Sequence, residues 1–164
     1  MESPERNDAR WQPEYTMRWT DIIQSDAPTV PATGRVSITV EQAHIILSEI
    51  GDLRLGACLT FGALLHIARG QHEALVADND TRRWEWGPRL TFAGSSVRWD
   101  GSWTYGRTIT LRASGSRVEM TWDSGTGAPS RFIAALLREA GVTYTPPVRR
   151  ESMRDLRERL GLAL

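Results

Sequence analysis

The sequence contains no lysine: all twenty basic residues are arginine. The guanidinium stays protonated, so no side-chain amine can lose its proton near neutrality. Schiff-base chemistry is thereby excluded, as is a phosphate-cradling loop built on Gly-Lys-Ser/Thr. A GC-rich coding sequence would produce the same arginine usage without altering that exclusion.

Cysteine is nearly missing as well. Cys58 stands alone in the chain, so neither an intrachain disulfide nor a thiolate metal cluster can form within it. It sits in the apolar run 55–65 and reads as a buried structural thiol rather than a nucleophile. Long hydrophobic runs are lacking. The longest nearly apolar stretch, 55–68 between Arg54 and Arg69, falls short of the ~20 residues that span a bilayer. The first eight residues are polar and acidic, with no apolar core of a secretory signal. A cytoplasmic protein with no membrane association is expected.

Histidine is scarce: His44, His66 and His72 are the three imidazoles, and no two stand at helical i, i+4 spacing. His66 is expected inside an apolar helix as a core histidine. His72 with Glu73, Asp78 and Asp80 offers the one arrangement suited to an O/N metal site, and with it a small metal-dependent hydrolase. Asp78-Asn79-Asp80-Thr81 reads better as turn chemistry, and it lacks the glycine and distal glutamate of a calcium loop. No G-x-S-x-G elbow and no G-x-G-x-x-G turn occurs. The sequence assigns no catalytic residue, metal or cofactor, and a non-enzymatic role is expected.

What is present is an ordinary globular composition, 40% hydrophobic and 24% charged over 164 residues, enough apolar material for one core. The formal net charge is zero, but it is unevenly divided. Residues 1–81 hold six arginines and twelve acids, a net of −6, and residues 82–164 hold fourteen arginines and eight acids, a net of +6. Such a division serves either complementarity within one fold or a positive face for an anionic partner.

Along the chain, residues 1–15 read as a disordered arm with Pro4 and Pro13. A short amphipathic turn follows around 16–24, then a loop, then a short strand from Arg35. Thr39 and Gln42 have capping-box spacing, Thr39 as N-cap and Gln42 at N3. The helix they open lines up Ala43, Ile46, Leu47 and Ile50 and ends at Gly51-Asp52. A second helix, apolar nearly all round, is expected over 54–69 and ends at Arg69-Gly70. Residues 73–123 then read as an antiparallel meander, with strands at 73–77, 82–86, 89–93, 96–100, 102–113 and 117–123. Asp100-Gly101 is its best hairpin signal. A helix at 129–140 follows, with Gly141 as its C′ residue, then the stiff Pro146-Pro147 linker and a final amphipathic helix. The order segregates helices from strands. It predicts an α+β fold: a five- or six-stranded antiparallel meander, with N-terminal helices and a C-terminal helix packed on one face. The domain spans 16–145, with 146–164 as a Pro-linked C-terminal helix.

Arginine and aromatic residues interleave through the meander, as in sheets that hold single-stranded nucleic acid. Strand alternation separates them. Trp84, Trp86, Leu90, Phe92, Val97, Trp99, Trp103, Tyr105, Ile109, Leu111, Val118, Met120 and Trp122 fall on one face. Arg83, Arg89, Arg98, Arg112 and Arg117, with threonines and Glu119, fall on the other. A nucleic-acid platform needs both types together. A bulge at Gly106 would supply that by turning Trp103 and Tyr105 outward, and Arg107, placed on the apolar face, hints at one. The C-terminal helix carries Met153, Leu156 and Leu160 on one stripe, with arginines alternating with acids around it. The combined expectation is a protein-binding adaptor or accessory module. It would act on another protein, or on its own copy as an oligomer, through the arginines at 83, 89, 98, 112 and 117 and through Met153, Leu156 and Leu160. Binding of single-stranded nucleic acid through Trp103, Tyr105 and Arg107 is the alternative.

Overall fold

A computed structural model describes residues 28–78, 89–101, 107–147 and 153–161. The expected arm over 1–15, the turn over 16–24 and the strand over 82–86 lie outside the described residues. The described elements are β1 (Thr33–Ile38), α1 (Val40–Gly51), α2 (Phe61–Asp78), β2 (Arg89–Ala93), β3 (Ser96–Asp100), β4 (Thr108–Ser114), β5 (Arg117–Asp123), α3 (Arg131–Glu139) and α4 (Met153–Leu160). The five strands form one antiparallel sheet in the order β1-β5-β4-β3-β2. The α+β arrangement expected from the sequence is therefore the one observed, with β1 added to the outer edge of a four-stranded meander.

The period-2 pattern sets one sheet face inward. Leu90, Val97, Trp99, Ile109, Leu111, Val118, Met120, Trp122 and Ile38 are buried on it, each contributing about 1.5–3 kcal/mol relative to exposure. Helices cover that face. α1 buries Ala43, Ile46, Leu47 and Ile50 and contacts both α2 and α3. α3 buries Phe132, Ile133, Ala135, Leu136 and Leu137.

Local signals explain the helix ends. Thr39 and Gln42 form the expected capping box, the Thr39 hydroxyl accepting from the Gln42 amide at 3.1 Å and Gln42 Oε1 from the Thr39 amide at 2.9 Å. Asp52 caps the other end in the left-handed region. Gly141, at φ +72°, follows α3 as expected. Two turns of the meander are two-residue loops, Gly94-Ser95 and Gly115-Ser116, with positive φ at each glycine.

Three expectations are corrected. The second helix begins at Phe61 rather than 54 and runs on to Asp78, absorbing the strand expected at 73–77. Leu75 continues the apolar stripe of Phe61, Leu64, Leu65 and Ala68 and packs against the core, so Gly70 does not end the helix. Residues 53–60 form a loop in which Thr60 accepts from the Ala63 amide at 3.2 Å. Gln71 ties that loop to the helix through the Arg54 amide and carbonyl. Cys58 lies in this loop, half-buried, with its thiol toward the Gly56 carbonyl. His66 is exposed on α2 rather than in the core.

The third correction concerns Asp100-Gly101. A two-residue turn there would pair Trp99 with Ser102. Trp99 pairs instead with Ile109 and Asp100 with Thr108, so the strand expected at 102–113 starts at Thr108. Gly101 is not in the left-handed region. It is small because Trp99 packs against it: a Cβ would stand 3.1 Å from the Trp99 indole and 3.3 Å from the Arg107 carbonyl.

Candidate functional site

The outward sheet face is built by the residues that alternate with the core. Its central row, from one edge to the other, is Thr91, Arg98, Thr110, Thr121 and Arg35. The flanking rows add Arg89, Asp100, Thr108, Asp123 and Thr33 on one side and Arg112, Glu119 and Ser37 on the other. Arg117 stands at the end of β5. Threonines and serines fit a half-exposed pleat, and the arginine stems lie along it while their heads reach water.

Several of these arginines are held by neighbours. Arg98 pairs with Asp100 at 3.0 Å, and Thr108 donates its hydroxyl to the same carboxylate at 3.4 Å. Arg112 pairs with Glu119, directly opposite on β5, at 2.7 Å. Arg117 donates to the Ser37 hydroxyl at 2.7 Å and to the Ser37 carbonyl at 3.2 Å. Exposed pairs of this kind contribute about 0–1 kcal/mol each, so their main effect is to orient the guanidinium groups. Five outward arginines, at 35, 89, 98, 112 and 117, face three carboxylates, at 100, 119 and 123. The face is mixed in sign with a basic excess.

The structure thus brings together Arg89, Arg98, Arg112 and Arg117 on one face, as the alternation implied. Arg83 lies outside the described residues. Arg35 was missed by the sequence reading. Its alternation within β1 marks it as outward, but β1 had no assigned neighbour, and only its pairing with β5 puts Arg35 beside Thr121. Trp103, Tyr105 and the expected bulge at Gly106 also lie outside the described residues. Arg107 belongs to the inner side, where the apolar alternation placed it: its guanidinium carbon sits 4.9 Å from the Phe132 ring centroid. Trp99 and Trp122 are both buried on the inner face.

Met153, Leu156 and Leu160 share one stripe of α4, as expected. Met153 is 65% exposed and Leu160 55%, and no α4 residue is buried. Arg154 and Glu158 form an i, i+4 pair at 3.4 Å beside that stripe.

His72 lies half-buried between α2 and β2, its ring 5.9 Å from Phe92. Burial pushes its pKa below the usual imidazole value, and Glu73 opposes the shift. Among the described residues no group of three or more His, Cys, Asp or Glu side chains can hold a metal ion. Among the same residues, no helix is long and apolar enough to cross a membrane.

Comparison of the chain with protein-family models, curated proteins and solved structures finds no match.

Proposed function

We propose that this protein is a binding module for another protein, acting as an adaptor or accessory factor. It would engage its partner through α4 and, secondarily, through the arginine-bearing face of the sheet. The observation that supports this reading is the exposed apolar stripe of α4. An eight-residue helix is marginal alone, and large apolar side chains at Met153 and Leu160 gain stability when another surface covers them. The stripe lies among Arg154, Arg157 and Arg159, with Asp155 and Glu158 interspersed. The complementary partner surface is an apolar groove with an acidic rim, which an amphipathic helix enters by its i, i+3, i+7 anchors. The Pro146-Pro147 step before α4 is a stiff, extended linker.

The test compares the full chain, the chain lacking 148–164, and Leu160→Asp. Each is immobilised and exposed to an extract of the source cell, and any captured protein is then made recombinantly and titrated. Sedimentation velocity of the three forms reads self-association in parallel. The expected result is a defined complex, with a second protein or with a second copy, that is lost in both altered forms. Association that survives both changes, or no association in either measurement, overturns the reading.

A further inference from the structure

β1 is an outer strand of the sheet, paired on one side only, with β5. The Ser124 amide donates to the Ala32 carbonyl at 2.7 Å. In an antiparallel ladder, residues bonded to the neighbouring strand alternate with residues whose N–H and C=O aim away from it. Ala32, Gly34 and Val36 therefore bond toward β5, and Thr33 and Arg35 aim their main-chain groups at the open side. The carbonyls at either end of that side are spent. Pro31 accepts from the Trp122 indole at 2.9 Å and Ser37 from Arg117 at 3.2 Å, and Pro31 carries no N–H. No main-chain bond among the described residues uses the open-side groups of Thr33 and Arg35.

Those two residues lie on a cleft of about 670 Å³, whose lining also includes Glu119, Tyr144, Pro146 and Pro147. Its charges are not balanced. The Glu119 carboxylate is held by Arg112 at 2.7 Å, while the Arg35 guanidinium has no ion pair or hydrogen bond among the described residues. The wall facing β1 is apolar. Tyr144 is braced edge-on against Trp122 at a centroid distance of 5.1 Å, and the two prolines after it have no N–H to give to the strand edge. The segment that borders the open side is therefore unable to pair with it at those positions.

We propose that β1 accepts an extended peptide from a partner protein as a further strand, bonded to the main chain at Thr33 and Arg35, with an acidic side chain opposite Arg35 and apolar side chains at the alternate positions. Main-chain bonds supply affinity in strand addition, and the alternating side chains supply selectivity. An acid opposite Arg35 answers the one unpaired charge of the cleft. Its neighbours along the peptide point to the other side of the pleat, where Tyr144 and the prolines offer apolar surface. A second copy of the chain is a poorer occupant: β1 reads Thr-Gly-Arg-Val-Ser-Ile and has no carboxylate to place against Arg35. This edge is separate from α4, so it adds a second, independent docking surface.

The test is fluorescence anisotropy of a labelled peptide, Ser-Val-Thr-Val-Glu-Val-Thr-Val-Ser, titrated with the full chain. Companion peptides carry Gln or Arg in place of Glu, or N-methyl groups on one or the other alternate set of amides. The expected result is saturable binding that one N-methylated set abolishes and the other leaves intact, since a strand bonded on one side uses only alternate amides. The Gln peptide should bind about threefold more weakly, the scale of a cross-strand charge pair, and Arg35→Glu should reverse the preference between the Glu and Arg peptides. Thr33→Pro removes one open-side N–H and leaves Arg35 in place, and it should weaken binding at least tenfold. Circular dichroism checks the fold of each variant, and the N-methylated peptides decide the matter with the unaltered chain if a variant does not fold. The proposal is overturned if the Glu peptide does not saturate, if both N-methylated sets bind alike, or if Arg35→Glu keeps the original preference. It is equally overturned if sedimentation velocity shows a dimer that Thr33→Pro dissociates, because a second copy would then occupy the edge.

Discussion

Gly34 of β1 lies directly opposite Trp122 of β5, and the Trp122 indole fills the space that a side chain at position 34 would occupy. The indole N–H donates to the Pro31 carbonyl at 2.9 Å, and Tyr144 meets the ring edge-on at a centroid distance of 5.1 Å. One side chain therefore ties the edge strand, the segment before it and the segment after α3. Gly34→Ala places a methyl inside the ring's contact distance and should destabilise the fold by about 1–3 kcal/mol. A lower urea midpoint at unchanged m checks it. Trp122→Leu should relieve part of that loss in the double variant, a coupling expected of residues in contact.

Thr39→Ala removes the acceptor for the Gln42 amide at the head of α1 and should cost about 1 kcal/mol. Gln42→Ala should cost at least as much. The Gln42 side chain both accepts from the Thr39 amide and donates to the Gly141 carbonyl at 3.2 Å, joining the start of α1 to the end of α3. Thermal unfolding of the two single variants and the double variant reads the comparison. Additive losses would show that the two side chains do not act as one cap.

Those two helix ends were legible in the sequence because each is a local pattern: a hydroxyl and an amide three residues apart, and a glycine just past an apolar stripe. Strand alternation was legible for the same reason, and it assigned Trp99, Trp122 and the outward arginines to their faces. The errors arose where a residue has more than one physical use. Gly70 looked like a helix terminus, yet Leu75 continues the buried stripe beyond it. Gly101 looked like a turn residue, yet its small size serves the Trp99 indole. A cleft between the start of β4 and the start of α3 could not be read at all. Its lining residues Arg107 and Arg131 stand apart in sequence and meet only in the folded chain.

His72 sets a pH response. Its folded-state pKa is lowered by burial, so the unfolded chain binds the proton more readily. The contribution of the neutral ring is fully present above the unfolded value of 6.5 and is lost as the pH falls through the lower folded value. Urea midpoints should therefore decline on acidification below that point. His72→Gln should show a shallower decline over the same interval, with the difference vanishing at pH 8.

Trp99 and Trp122 are both buried on the inner face, so neither is available to stack on a base. In the protein-binding reading, single-stranded oligonucleotide leaves tryptophan emission unchanged at low salt. A quench that weakens steeply with added salt would reveal phosphate contacts together with exposed aromatics. That result would move nucleic-acid binding ahead of protein binding and point to Trp103 and Tyr105.

Removal of 148–164 separates docking from folding. No α4 residue is buried, whereas Tyr144, Pro146 and Pro147 line a cleft with Trp122 at the β1 edge. Ending the chain after Pro147 keeps that contact and should change stability by no more than about 0.5 kcal/mol, the range of surface changes that touch no packed group. Tyr144→Ala should cost more. It removes apolar contact and an edge-to-face pair that contributes about 0.5–1.5 kcal/mol beyond its area, and it uncovers the indole that holds β1. Denaturant curves of the two forms should therefore diverge, with the truncated chain close to the full one. If the truncated chain instead unfolds as readily as Tyr144→Ala, α4 is part of the folding unit, and loss of a partner on truncation would no longer report docking.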